Sequence, residues 1–434
     1  MRITGISGFD FEARNNRATI LDMQIKAVNI RIPLLALAGI AVSAQLYAVQ
    51  AHTIDVDQLT VAVQSEGEGD SSSSSASHGH GHGAPPQPRE TVGATDQSML
   101  HAEEVHLRNI RQLTFGNFKD DPQIAAANYA EAYWAPDGRS LILQAAVNEF
   151  PCDQVFRLDL LTGALELISS GEGRVTCSYY TADMQHYIYS STEFNNGPEC
   201  PPTPDFSRGY VWPVYESYDI YLADINTGEV LENLTDNPGY DAEGTIDWNS
   251  GWLYYASKQH DDIDVYRYNM NTQERERLTD AYGYDGGPFI NYDGTKIVYR
   301  RSMFKDQAEE DDYRALLADN LIRPGVLELW VMDSDGSNKR ELTNDGAANF
   351  APYLHPDNDT VVYCSNRHAP DGRNFDVYML KLSQPEMEPV RITWDEEFDG
   401  FPMFSPDGKY LVWCANRNGS VTGETNVFIA EWVD

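Results

Sequence analysis

Positive charge is what this 434-residue chain has least of: 31 Lys and Arg stand against 67 Asp and Glu, a formal net charge of -36. A surface this acidic repels phosphate backbones, which argues against nucleic acid as a partner and suits a soluble protein. Cysteine is also rare, with five residues, so a disulfide-dense miniature fold is excluded. No Cys-x-x-Cys, His-Glu-x-x-His or Gly-x-Ser-x-Gly occurs, which leaves no zinc ribbon, no zinc-peptidase helix and no nucleophile elbow. The abundant residues are tyrosine (25), tryptophan (8) and glycine (32), a mixture that suits many short strands joined by tight turns.

From Met23, the sequence MQIKAVNIRIPLLALAGIAVSAQLYAVQA sets Lys26 and Arg31 ahead of an apolar core, Ile32 to about Leu46, followed by the small residues Ala48 and Ala51. Charge, length and exit chemistry are those of a secretory signal peptide, and the core is short for a membrane span. Residues 23–51 are therefore expected to be a signal, with residues 1–22 a non-native extension ahead of the true start at Met23. The product is expected in the periplasm or outside the cell, with no membrane span once the signal is cleaved. Residues 52–103 are expected to form a disordered linker: a serine run, a His-Gly tract and a Pro-rich exit are too polar to offset chain entropy. His78, His80 and His82 in that tract are candidate metal scavengers.

From residue 104 the chain repeats. A tight turn recurs as APDG (Ala135), TADM (Thr181), DWNS (Asp247), NYDG (Asn291), HPDN (His355) and SPDG (Ser405). Before each turn, by 21 residues in the first copy and 12 in the other five, stands a segment ending in a hydroxyl: RQLT (Thr114), ELIS (Ser169), ENLT (Thr235), ERLT (Thr279), RELT (Thr343) and VRIT (Thr393). Each turn is followed by an alternating strand and then by a third strand such as DIYLADINTG or LELWVMDSDG. The pattern predicts six antiparallel four-stranded units. One such sheet cannot bury both faces, whereas six arranged radially bury them against one another. The expected fold is all-β, a six-bladed β-propeller over residues 104–434, with the N-terminal strand HLRNIRQLT completing the last blade and removing its open edge.

The R-x-L-T strand, S-P-D-G turn and V-M-D-x-D-G strand end together resemble the TolB-like (WD40-like) propeller repeat. The resemblance implies the six-bladed fold. It also implies three settings in which such blades occur: periplasmic Tol-system proteins, propeller domains of prolyl-oligopeptidase-type peptidases, and some polysaccharide lyases.

In a propeller, residues that open each innermost strand ring the channel mouth. Counting back from the turns puts Tyr129, Val175, Asp241, Asp285, Asn349 and Asp399 at one equivalent position, with Glu131, Cys177, Glu243, Gly287, Ala351 and Phe401 two residues on. The expected ligand-binding set is Asp241, Glu243, Asp285, Asn349, Asp399 and Glu131, joined by Tyr210 and Trp212 from a long Pro-rich loop, Glu193 to Ser217. Converging carboxylates suit a divalent cation such as Ca or Mg, or a cationic peptide end. The alternative for each Asp is a turn in which the side chain caps backbone amides. A second long loop, Met303 to Val326, carries Tyr313, Leu316, Leu317 and Leu321 at helical spacing, which predicts a rim helix. Cys152, Cys177 and Cys200 are disulfide candidates with the pairing open. Cys364 and Cys414 read as buried thiols. The functional expectation is a monomeric, non-catalytic scaffold binding an envelope protein, peptide or glycan at its acidic channel face. The alternatives are a metal-assisted polysaccharide lyase or hydrolase using Asp241, Glu243, Asp285 and Asp399, or an accessory propeller of a peptidase system.

Overall fold

Alternation of apolar and polar residues along each repeat makes strands that bury one edge of every side-chain row, and the short turns force neighbours in sequence to be neighbours in the sheet. In the computed structural model, residues 99–434 are described apart from 117–126, 148, 149, 151 and 371. The expected extension, the signal peptide and the linker histidines lie outside the described residues. Six four-stranded antiparallel sheets are present, each in simple meander order. The third blade is typical, running Asp241–Ile246, Trp252–Lys258, Ile263–Asn269 and Arg275–Arg277 from the axis outward. The sixth is built from both ends of the propeller: Asp399–Phe404, Tyr410–Ala415 and Asn426–Trp432 are completed by Leu107–Gln112. This is the six-bladed propeller, closed by its N-terminal strand, that the repeats predict.

The recurring hydroxyl has one job in all six blades. Thr114, Ser169, Thr235, Thr279, Thr343 and Thr393 each accept a hydrogen bond, at 2.8–3.0 Å, from a backbone N–H of the third strand, at Val427, Val155, Ile220, Val265, Leu329 and Val377. The outer strand is short, so this side-chain bond pins its end where ladder bonds run out. The turns are equally repetitive. In the sixth blade Gly408 N–H donates to Ser405 O at 2.8 Å, and Gly408 has φ +71, a left-handed value that glycine adopts without strain. Met184 and Asn358 take the same conformation in the second and fifth blades, held there by the turn.

Two insertions depart from the repeat. In the second blade, Trp212–Pro213 lies between the second and third strands; in the fourth, a helix Gln307–Leu317 is followed by Leu321–Ile322. Asp306 caps the helix, accepting from Ala308 N–H and Glu309 N–H. Tyr313, Leu316 and Leu317 are its buried face. Leu321 falls outside the helix: the helix ends at Leu317, Asn320 turns the chain with φ 57, and Leu321 instead pairs with Pro213 while Ile322 pairs with Trp212. The two insertions thus form a small sheet of their own. Cys152, beside the third strand of the first blade, is bonded to Cys200 in the second-blade insertion, with Cα atoms 6.0 Å apart. Cys177, Cys364 and Cys414 are buried thiols.

Candidate binding site at the channel mouth

The inner strands carry one irregularity, repeated six times. Glu131, Cys177, Glu243, Gly287, Ala351 and Phe401 all have positive φ, between 49° and 62°. At the same point each inner strand slips register against its neighbour. This is a bulge, and a bulge re-aims the side chains on either side of it. Residues two apart therefore do not share a face here, and the two sets expected to ring the mouth together are separated.

The first set is buried and held within the blades. Asp241 accepts from Asn237 Nδ2 at 2.6 Å. Asn349 donates to Glu328 Oε2 at 3.2 Å and to Asp345 Oδ1 at 2.9 Å. Asp399 accepts from Arg417 Nη2 at 2.6 Å and from Trp413 Nε1 at 3.1 Å. Asp285, 1% exposed, has Arg301 Nε at 3.5 Å, and burial pushes its carboxyl up to about 8. None of the four lines the channel cavity. Among the described residues, no three His, Cys, Asp or Glu side chains are grouped to hold a metal ion.

The second set does line the channel. Glu131 and Glu243 face a cavity of about 190 Å³ whose walls come from all six inner strands and whose outer end is closed by Trp212, Pro213, Val214 and Ile322 of the insertions. Glu243 pairs with Arg300, and accepts from Tyr284 OH and from Gly287 N–H, both at 2.7 Å. Gly287 is the glycine of the ring for a steric reason. Five other residues tolerate the same φ, but a Cβ at Gly287 would collide with Arg300 Nη1. Arg300, from the second strand, thus occupies the space that a side chain fills in the other blades. Further in, Tyr133, Tyr179, Phe289 and Tyr353 pack on one another across blades, with centroids 4.4–6.0 Å apart in the contacting pairs.

Outside the insertion sheet is a larger groove of about 780 Å³. Trp212 and Phe350 line both spaces and meet edge to face at 5.9 Å, forming the partition between them. Tyr210 is 49% exposed in the groove yet fixed in place, since Trp212 Nε1 donates to its hydroxyl at 3.1 Å and Arg373 lies 4.2 Å over its ring. Lys305, Arg323 and Arg373 face Asp306, Glu309 and Asp312 around the groove, so its charges balance in a chain that is otherwise strongly acidic. Sequence reasoning placed Tyr210 and Trp212 near a groove but missed Arg300, Phe350 and Arg373. Pro288, Pro352 and Pro402, each just after a ring position, were the available signal for the bulge, because proline inside a strand marks such a break.

No known protein-family profile matches the chain. A tricorn protease homolog of Saccharolobus solfataricus is 27% identical over 143 residues, which is 32% of this chain and 12% of that protein's length. Among solved structures, TolB from Acinetobacter baumannii superposes with a TM-score of 0.45 and 16% identity, covering 71% of this chain and 65% of the other. An oligogalacturonate lyase in complex with manganese gives 0.43 and 14%, covering 75% and 93%. These likenesses concern architecture alone. The chain carries a six-bladed β-propeller.

Proposed function

We propose that the protein is a secreted or periplasmic binding propeller that holds a peptide segment of an envelope partner in the groove at its channel mouth. The observation that carries this reading is the pairing of Trp212–Pro213 with Leu321–Ile322, which sets an exposed aromatic, Tyr210, on a rigid support beside balanced charges. Binding residues concentrate on loops that a scaffold positions, and an aromatic with few rotatable bonds loses little entropy on binding. Apolar lining and both charge signs suit an extended peptide, which offers backbone polar groups and varied side chains along one strand. The Cys152–Cys200 bond supports an oxidising compartment. Compared with the acidic channel face expected from sequence, the proposed surface moves outward to the groove, because Asp241, Asp285 and Asp399 are taken up by the blades.

Selection of peptides from a displayed library on the full chain, followed by calorimetry with wild type, Tyr210→Ala and Arg373→Ala, tests the reading. Tight peptides are expected to lose tenfold or more in affinity with either variant. Selected peptides that bind both variants as well as wild type would place the interface elsewhere.

A further inference from the structure

The cavity behind Trp212 has a chemistry different from that of the groove. At about 190 Å³ it is smaller than the roughly 300–1,000 Å³ of whole small-molecule sites, so it takes the end of a ligand or a very small one. Its two carboxylates are not equivalent. Glu243 is neutralised by Arg300, which is only 6% exposed and also contacts the hydroxyl of Tyr284. Glu131 accepts from Tyr133 OH at 3.0 Å, and the described residues bring no cation into ion-pair contact with it. Around these groups stand Trp212, Tyr240, Phe350 and Phe401. One uncompensated carboxylate among aromatic rings is the recognition chemistry of an alkylammonium group, which gains from the charge and from the faces of the rings together.

We infer that this chamber is a binding site for an alkylammonium group, carried by a small amine or by a lysine side chain, with Glu131 as the counter-charge. The Arg300–Glu243 pair is the fixed wall opposite. The groups facing Glu131 give the site a pH dependence of known sign. Burial raises its carboxyl, while Tyr133 and Cys177, themselves pushed up by burial, remain protonated and donate to it; Glu243 opposes its ionisation and Arg300 favours it. An ammonium ligand selects the ionised carboxylate, so binding releases protons and strengthens as pH rises.

The test is calorimetric titration of the full chain with n-butylammonium and, as the uncharged control, n-butanol, in two buffers of different ionisation enthalpy. Saturable binding of the amine with proton release is expected, at least tenfold tighter than the alcohol and lost in Glu131→Gln. No saturable binding of the amine, equal affinity for the alcohol, or undiminished binding by a folded Glu131→Gln would overturn the assignment. Should Glu131→Gln fail to fold, the wild-type protein decides alone, because butanol binding as tightly as butylammonium is equally fatal. Displacement of a groove-selected peptide by butylammonium identifies the ammonium as the peptide's own, and amine binding without such displacement keeps the site independent of the groove.

Discussion

Arg417 Nη2 lies 2.9 Å from Glu104 Oε1 and 2.6 Å from Asp399 Oδ2, so one guanidinium, 4% exposed, joins the segment before the first strand to the inner and second strands of the last blade. Two buried carboxylates depend on this cation, whereas the cation has both of them and a third, Asp395, at 3.9 Å. Arg417→Leu is therefore expected to cost more than Glu104→Gln. Leaving buried charges unpaired costs about 3–5 kcal/mol, and removing Glu104 still leaves Arg417 its bond to Asp399. Urea denaturation of the two variants checks the order; a Glu104→Gln loss as large as that of Arg417→Leu would contradict the shared-cation account.

The Cys152–Cys200 bond closes a loop with a sequence separation of 48. Restricting the unfolded chain over such a loop contributes up to about 4 kcal/mol, with measured values commonly about 2–4. Cys152→Ser is expected to lower the unfolding free energy by an amount in that range, and to abolish the linked peptide pair in mass spectrometry without reductant. Finding Cys177 in a linked peptide of the wild type would reassign the bond.

Thr343 Oγ1 accepts from Leu329 N–H at 2.9 Å and donates to Glu328 Oε2 at 2.6 Å. Thr343→Val keeps the shape but strands the buried Leu329 N–H and leaves Glu328 Oε2 with the Asn349 donor in place of two, a loss of about 1–3 kcal/mol. Thr235→Val, at the equivalent place in the second blade, strands Ile220 N–H and is expected to fall in the same range. A neutral result at both sites would show that the repeated hydroxyl is not structural.

Asp285 makes stability depend on pH in an uncommon direction. Its carboxyl is raised by burial to about 8, partly offset by Arg301, against about 3.9 in an unfolded chain. Between these values the folded state holds a proton that the unfolded state has lost, so the contribution is full below about pH 4 and is lost as pH rises through about 8. Asp264, raised to about 6, and Asp376, raised to about 7, act with the same sign. Asp285→Asn is expected to flatten the decline of unfolding free energy between pH 4 and 8 by a few kcal/mol. An unchanged pH profile in that variant would show that Asp285 is ionised in the folded protein at neutral pH.

The blades were legible because turn, hydroxyl and alternation recur in register, and each recurrence answers a local need: a left-handed turn residue at Gly408, an acceptor for the Val427 amide at Thr114. The channel was legible only in part. Period-two counting puts Asp241 and Glu243 on one face, and the bulge at Glu243 breaks that period, sending one carboxylate into the blade and the other into the cavity. Arg300 was not legible at all, since its presence in the channel depends on Gly287, which belongs to a different strand and shows in sequence only as a missing side chain. Nor does any spacing announce that Trp212 and Ile322, 110 positions apart, pair with each other.

The closure of the last blade also sets an order of events. Leu107–Gln112 is the first strand of the propeller to be synthesised, yet its partner Asn426–Trp432 is the last, and Asn109 meets Glu431 across 322 residues of chain. Five blades can form from contacts within about 60 residues, while the sixth waits for the whole chain. The final step of folding is thus a loop closure of the longest kind the molecule contains, which places the slow step at the seam rather than in any blade. Until it is taken, the open edge of Asn426–Trp432 is the surface most exposed to pairing with another chain.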